Sequence, residues 1–218
     1  MEDTTIADVL KTFGDFYEKK DFKSALQTLK DHPESMSVGQ WHYNLGLVHA
    51  RMGNWAESRF HFLAAEKTGM MNSDIDQNIN LVTDKLEITK LEKPQSFTDY
   101  FFKTTKFLSG GELTTISLFI LMIGLFSLKK KMTAAKLAFV IIFSLLPLSI
   151  GWVANKFPEA VVINETKIQE GPSKIFGAIT DVPAGIKVII QGEGEWRQVI
   201  YPSRFRGWIQ HNVLKELE

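Results

Sequence analysis

The chain has 218 residues, of which 25 are basic and 25 acidic, and it contains no cysteine. The lack of cysteine excludes disulfides, thiolate metal sites and cysteine nucleophiles. The formal net charge of zero conceals an uneven distribution, because residues 1–112 carry 13 basic and 17 acidic side chains whereas residues 129–136 carry four lysines and no acid.

Two segments within residues 1–93 are similar to each other at an offset of 33 residues. Aligning Phe22 with Trp55 also aligns Ala25 with Ser58, and the offset is close to the tetratricopeptide period of about 34 residues. The later segment resembles one tetratricopeptide repeat at small and apolar positions, namely Leu45, Gly46, Gly53, Trp55, Ser58, Phe62 and Ala65. Residues 1–93 are therefore predicted to form an all-α tetratricopeptide-like helical repeat domain.

Two glycines and a final helix are further features of this predicted domain. Gly46 is expected to let the two helices of the repeat approach closely, and Gly53 to end the first of them. Ser73–Leu91 carries apolar residues at helical spacing and is predicted to be a helix that caps the stack. Such stacks offer a surface to a peptide or partner domain, and four residues would line it: Gln40, Tyr43, Leu47 and Arg51. The alternative is that these four are ordinary helix surface.

Residues 94–112 are predicted to be an aromatic juxtamembrane linker. Lys93-Pro94 ends the preceding helix, and the segment that follows crowds aromatic side chains around Lys103 and Lys106. Aromatic and basic residues beside an apolar span are typical of a helix that lies in the membrane interface. The alternative is a simple linker.

Two uncharged apolar stretches, Leu113–Leu128 and Leu137–Ala154, follow each other closely. An apolar run of about 18 residues or more is a candidate membrane-spanning helix; the second run reaches this length and the first falls slightly short. Because the two runs are adjacent and separated by lysines, residues 113–154 are predicted to form a two-helix transmembrane hairpin.

The lysines between the two stretches determine the predicted orientation: Lys129, Lys130, Lys131 and Lys136. Short loops rich in lysine and arginine stay on the cytoplasmic side. We therefore expect a multi-pass protein of a bacterial inner membrane, with a cytoplasmic lysine loop and both soluble arms in the periplasm. Export of the first arm normally requires a signal peptide, and Met1–Leu10 lacks its apolar core. Either the coding sequence begins upstream, or the chain starts after a processing site, or the arm is cytoplasmic; we favour the first two.

Residues 159–218 change from helical spacing to short strands. Ile186–Ile190 and Trp196–Tyr201 are β-rich runs joined by a glycine-containing hairpin, and Phe205–Gln210 is a further strand. Five short strands within about sixty residues predict a small closed barrel.

The order of landmarks in this segment resembles the bacterial SH3 family. Gly171-Pro172-Ser173 is followed by Pro183-Ala184-Gly185, then by Trp196-Arg197-Gln198-Val199 and by Gly207-Trp208-Ile209. The resemblance implies an all-β SH3-like barrel that binds peptides or cell-wall glycopeptide, or that serves as an interaction module. Trp196 is the candidate ligand platform, whereas we expect Trp208 to pack in the barrel.

The order of all these parts resembles the BatE-like members of the Bat (Bacteroides aerotolerance) group of membrane proteins. That resemblance implies a multidomain scaffold in a membrane-anchored complex. It also implies partners, namely von Willebrand A-domain Bat proteins and a MoxR-type ATPase. A nucleic-acid partner is not expected, because the lysine run has a sufficient explanation in membrane topology.

Catalytic motifs are absent from the sequence. The chain has no phosphate-binding loop, no His-Glu-x-x-His pair and no nucleophile elbow, so neither catalytic residues nor a cofactor are predicted. His42 and His49 are seven residues apart and could share a helix face around a metal ion. We predict no metal site, because no carboxylate cluster lies near them and histidine here replaces the aromatic residues of the repeat.

Three functions are compatible with these features. The favoured one is a non-enzymatic, membrane-anchored interaction scaffold that acts by co-localising its partners. The alternative is a cell-wall sensor that binds peptidoglycan through Trp196. A cell-wall hydrolase is disfavoured, because no segment remains to house a catalytic domain and the usual cysteine nucleophile is absent.

Overall fold

A computed structural model describes residues 6–70, 73–108, 110–127 and 133–217. Within these ranges the chain forms eight α-helices and then seven β-strands. It divides into two compact units, one made of Met1–Lys93 together with Pro158–Glu218 and the other of Pro94–Phe157. The helical repeats and the C-terminal strands, which are far apart in the sequence, therefore belong to the same unit.

The first unit begins with five helices that each contact the next along the chain. They are α1 Ile6–Glu18, α2 Phe22–Asp31, α3 Val38–Arg51, α4 Trp55–Lys67 and α5 Ser73–Lys85. Aromatic side chains of α1, including Phe13 and Phe16, pack on a buried core from α2 and α3 that consists of Ala25, Leu29, Leu45 and Val48. This part confirms the predicted series of helices, and α3 ends just before Gly53, as expected.

The helix predicted over Ser73–Leu91 ends early, at Lys85. Glu87 has a positive φ of 56°, which takes the chain out of the helical path. Beyond it, Ile88 is fully buried in the core of the β-sheet, and Leu91 packs against the same core. The end of the predicted capping helix is thus replaced by a series of turns, because its apolar side chains are buried by the strands and not by another helix.

The second unit contains α6 Phe97–Phe107, α7 Gly110–Ser127 and α8 Ala134–Ala154. Both α7 and α8 are long and apolar enough to span a membrane, and few of their side chains are buried. The linker aromatics lie on α6, which Ser96 caps by accepting the backbone N–H of Asp99 at 3.1 Å. Lys136 lies in the first turn of α8, whereas Lys129, Lys130 and Lys131 lie outside the described residues.

The β part of the first unit is one antiparallel sheet with the strand order β3-β2-β6-β5-β4-β1-β7. Its strands are β1 Glu159–Val162, β2 Thr166–Gln169, β3 Ala178–Val182, β4 Lys187–Gln191, β5 Trp196–Tyr201, β6 Gly207–Gln210 and β7 Leu214–Leu217. The predicted hairpin between β4 and β5 and the strand at β6 are confirmed.

The prediction of a five-stranded closed barrel was wrong. The described residues form seven strands in an open sheet with β3 and β7 at its edges. The helical part contributes the apolar cover at the β7 side, where Leu63 and Ala64 of α4 pack with Val161 of β1 and Leu217 of β7. Apolar side chains at the β7 side of the sheet are therefore buried against α4.

Candidate functional site

The helical and β parts of the first unit are joined around Arg59 of α4, which is 4% exposed. Its guanidinium donates to both carboxylate oxygens of Glu92, at 2.6 and 2.7 Å, and also to the carbonyl oxygen of Gly185. The Glu92 carboxylate accepts the backbone N–H of Lys187 at 2.7 Å as well. A bidentate pair between arginine and a carboxylate fixes orientation as well as distance. This network therefore holds the repeats and the sheet in one arrangement.

Polar contacts at a second place reinforce this joint. Lys215 of β7 donates to Glu57 of α4 at 2.5 Å, and Lys67 of α4 donates to the carbonyl oxygen of Leu217. Both contacts connect the same helix to the edge strand of the sheet. They lie beside the apolar cluster that includes Leu63 and extend the contact along α4.

The four helix residues predicted to line a partner surface all lie on α3: Gln40, Tyr43, Leu47 and Arg51. Arg51 donates from Nε to the Tyr17 hydroxyl of α1 at 3.0 Å, and the Tyr43 hydroxyl accepts from Asn78 of α5 at 3.4 Å. This face of α3 therefore contacts α1 and α5. The exposed side chain of Gln40 belongs to the capping box at the start of α3.

Trp196, the predicted ligand platform, is half-buried in a cleft of about 620 Å³ on the β part. Polar and charged side chains form the rest of the lining: Glu165, Thr166, Lys167, Gln169, Lys174, Asp181 and Gln210. Drug-like pockets are mostly apolar, so this mixture of both charges around one indole favours a polar ligand such as a peptide or glycan. Trp208 of β6 is half-buried and lies outside this lining.

Three histidines converge where α3 packs against α4. His42 Nδ1 and His61 Nδ1 are 2.9 Å apart, so one of them donates to the other. The rings of His49 and His61 stack with centroids 5.4 Å apart and planes 14° from parallel. Glu57 lies one turn before His61 on α4, and one ligand atom from each of His49, Glu57 and His61 lies within 4.8 Å of the other two.

Burial keeps these imidazoles neutral. It lowers the pKa of His61 to about 2, with further lowering by the neighbouring His49 and His42. Burial also lowers the pKa of His42 and of His49, and the ammonium group of Lys215 acts in the same direction on both. Neutral imidazoles have a free nitrogen lone pair, which is the form that binds metal ions.

The Nδ1 atom of His49 is buried without a hydrogen-bond partner among the described residues. An unsatisfied buried polar atom costs about 1–3 kcal/mol. The cluster therefore contains a buried polar atom that makes no hydrogen bond within the described part of the chain.

Sequence reasoning considered two members of this cluster, His42 and His49, but predicted no metal site there, and it missed Glu57 and His61. A signal was present, since Glu57 and His61 are four residues apart and so share one face of a helix. Only the packing of α3 on α4 brings that face to His49. Comparisons of the chain with family models, curated proteins and solved structures find no match.

Proposed function

We propose that this protein is a membrane-anchored interaction scaffold, in which one binding unit made of repeats and sheet is attached to a transmembrane hairpin. The observation that carries the proposal is the buried joint of Arg59 with Glu92 and Gly185. It supports treating the two soluble arms as one rigid binding body and not as two independently tethered domains.

The proposed topology follows from the same joint. Two chain segments that pack together must lie on the same side of a membrane, and an even number of spans between them satisfies this requirement. The helices α7 and α8 supply two candidate spans. We place the binding unit in the periplasm and Lys136, with the three lysines before it in the sequence, in the cytoplasm of a bacterial cell.

Two surfaces are proposed to bind partners. One is the face of α3 that carries Tyr43 and Arg51, and the other is the cleft around Trp196. Holding two ligands on one body raises their effective concentration toward each other without any new contact between them. The proposed partners are other membrane or periplasmic proteins, and in a Bat-type complex these would be von Willebrand A-domain proteins and a MoxR-type ATPase. The function proposed is binding, with no catalytic step.

Affinity purification from detergent-solubilised membranes tests this proposal. The wild-type chain should retain a defined set of proteins, and Trp196→Ala should reduce one of them at least about tenfold, in line with the dominance of aromatic anchors at interfaces. Ile175→Ala is the matched control, because Ile175 is a 95% exposed apolar residue of the same sheet region outside the cleft lining. Failure of the wild type to retain any specific protein would contradict the scaffold.

A second candidate function is peptidoglycan binding, favoured by the position of an indole in a cleft whose other walls are polar. Sedimentation of the full chain in detergent with purified sacculi tests it. Wild-type protein and Ile175→Ala should enter the pellet, and Trp196→Ala should stay in solution. If the wild type stays in the supernatant, the cleft does not bind the cell wall.

A further inference from the structure

We propose that His49, Glu57 and His61 form a binding site for a divalent first-row transition metal ion of the zinc type, with His42 positioning His61. The site lies inside the first unit, where α3 packs on α4 beside β7. It is separate from the Trp196 cleft, and the scaffold proposal does not depend on it.

The donor set fits this class of ion. Two imidazoles and one carboxylate are a ligand combination found in zinc sites, where a water occupies the fourth position. In a tetrahedral site with bonds of about 2.0–2.1 Å, neighbouring ligand atoms stand about 3.4 Å apart. The three ligand atoms here lie within 4.8 Å of one another. Side-chain rotations that move each ligand atom by roughly 1 Å would therefore bring all three to bonding distance of one ion.

The unpartnered Nδ1 of His49 is an independent indication of a ligand. The side chain of His49 is buried, with 7% exposed, and this nitrogen has no hydrogen-bond partner in the described part of the chain. Buried polar atoms are normally satisfied by protein, by ordered water or by a bound ion. A metal ion between His49 and His61 would satisfy it.

His42 contacts the proposed ligand His61 and is not itself proposed to bind the ion. Its Nδ1 is 2.9 Å from Nδ1 of His61, and such a bond fixes the tautomer and the ring orientation of a ligating histidine. When the His61 Nδ1 donates this bond, its Nε2 carries the free lone pair. Loss of an outer partner of this kind typically weakens metal binding by about 10–100-fold.

Lys215 is the local feature that opposes an ion. Its ammonium lies 2.5 Å from Oε2 of Glu57, and its side chain is 42% exposed. The ion and the ammonium therefore compete for the same carboxylate, and the half-exposed stem of Lys215 can turn toward solvent. Removing this positive charge should strengthen metal binding, which distinguishes the proposed site from adventitious binding elsewhere on the surface.

The experiment is a Zn²⁺ titration of the full, tag-free chain in detergent against a chromophoric chelator, with Co²⁺ absorption as a second readout of ligand geometry. We expect one equivalent of Zn²⁺ to bind to the wild type. The double variant His49→Gln/His61→Gln should lose this binding, and His42→Phe should weaken it by about 10-fold. His32→Gln is the matched control, because His32 is a half-exposed histidine outside the cluster.

The outcomes separate the proposal from its alternatives. Absence of Zn²⁺ binding by the wild type, or unchanged binding by the double variant, would overturn it. Circular dichroism shows whether the double variant folds. If it does not, Glu57→Gln and Lys215→Gln decide the question, since Glu57→Gln should weaken binding and Lys215→Gln should tighten it. Equal affinities for these two variants and the wild type would also overturn the proposal.

Discussion

Single residues in the first unit differ widely in how much the fold depends on them. The fold depends strongly on Arg59, because its buried guanidinium donates hydrogen bonds to a carboxylate and a backbone carbonyl from different parts of the chain. A buried ion pair adds little over an apolar replacement of both partners, but removing one partner leaves an uncompensated charge. The orientation of repeats and sheet therefore depends on both members being present.

Arg59→Met should lower the free energy of unfolding of the first unit by about 3–5 kcal/mol, because the largely buried Glu92 is left without its counter-charge. Urea unfolding in detergent, followed by tryptophan fluorescence, measures this change. Lys167→Met is the control, since the Lys167–Asp181 pair spans 4.0 Å with both side chains mostly exposed. An exposed pair contributes about 1 kcal/mol or less, and equal costs for the two variants would contradict the role assigned to Arg59.

At the scale of elements, close helix packing depends on glycines. A Cβ atom added at Gly46 of α3 would lie 2.7 Å from the ring of Phe62 on α4, whereas one added at Gly14 of α1 would meet nothing within 4 Å. The same residue type thus has a packing role in one helix and none in the other. The resemblance to a tetratricopeptide repeat predicted the role of Gly46, and the packing confirms it.

Gly46→Ala should destabilise the first unit by about 1–3 kcal/mol, since overpacking outweighs the gain in helix propensity. Gly14→Ala should stabilise it by about 0.5–1 kcal/mol, because alanine is the better helix former and no neighbour obstructs it. Thermal unfolding of both variants under the same conditions measures the difference. Destabilisation by both changes, or by neither, would contradict the packing of α3 on α4.

The helices α7 and α8 also approach each other at small residues, with Gly124 against Val140 and Gly151 against Leu113. Small residues are typical of helix interfaces in membranes, where they let backbones come close. An ideal Cβ at Gly124 lies 3.3 Å from the Cβ of Val140, near the spacing of about 3.5–4.5 Å in disulfides.

Gly124→Cys combined with Val140→Cys should therefore form a disulfide on mild oxidation, and the chain offers no native cysteine to compete. Protection of both thiols from a polyethylene-glycol maleimide, seen as the absence of a gel shift, is the measurement. The control pair is Leu118→Cys with Val140→Cys, because Leu118 is a mostly exposed residue of α7. Equal reactivity of the two pairs would contradict the packing of the hairpin.

At the scale of the whole molecule, the order of segments along the chain tests the proposed membrane topology. The first unit is built from chain segments before and after α7 and α8, and the proposed topology places both segments in one compartment. Single cysteines can report each position in a chain that has none of its own. Suitable exposed positions are Lys23 on α2, Glu193 between β4 and β5, and Thr133 before α8.

Lys23→Cys and Glu193→Cys should both react with a membrane-impermeant maleimide added to spheroplasts, whereas Thr133→Cys should react only after permeabilisation. The physical reason is the retention of lysine-rich loops in the cytoplasm. Labelling measured by mass shift gives the result. Different accessibility of Lys23→Cys and Glu193→Cys would contradict one shared unit, and the reverse pattern would contradict the periplasmic placement.

Local patterns in the sequence were enough to predict most of the helices and three of the seven described strands. Helices α1–α5, the two apolar helices and strands β4–β6 follow from repeats, apolar stretches and alternating runs, all of which depend on residues a few positions apart. Residues such as Gly46 and Gly53 had predictable roles for the same reason. The short end of α5 was not predictable, because Ile88 is buried by distant strands.

The tertiary structure alone decided three things: the joining of the repeats to the sheet, the open form of that sheet, and the convergence of the histidines with Glu57. The first depends on Arg59 meeting Glu92 and Gly185, which are 33 and 126 residues away. The last depends on α3 lying against α4. Helix and strand periodicities record which face of an element is apolar, but they carry no information on which distant face will cover it, and contacts of that kind arise only when the whole unit folds.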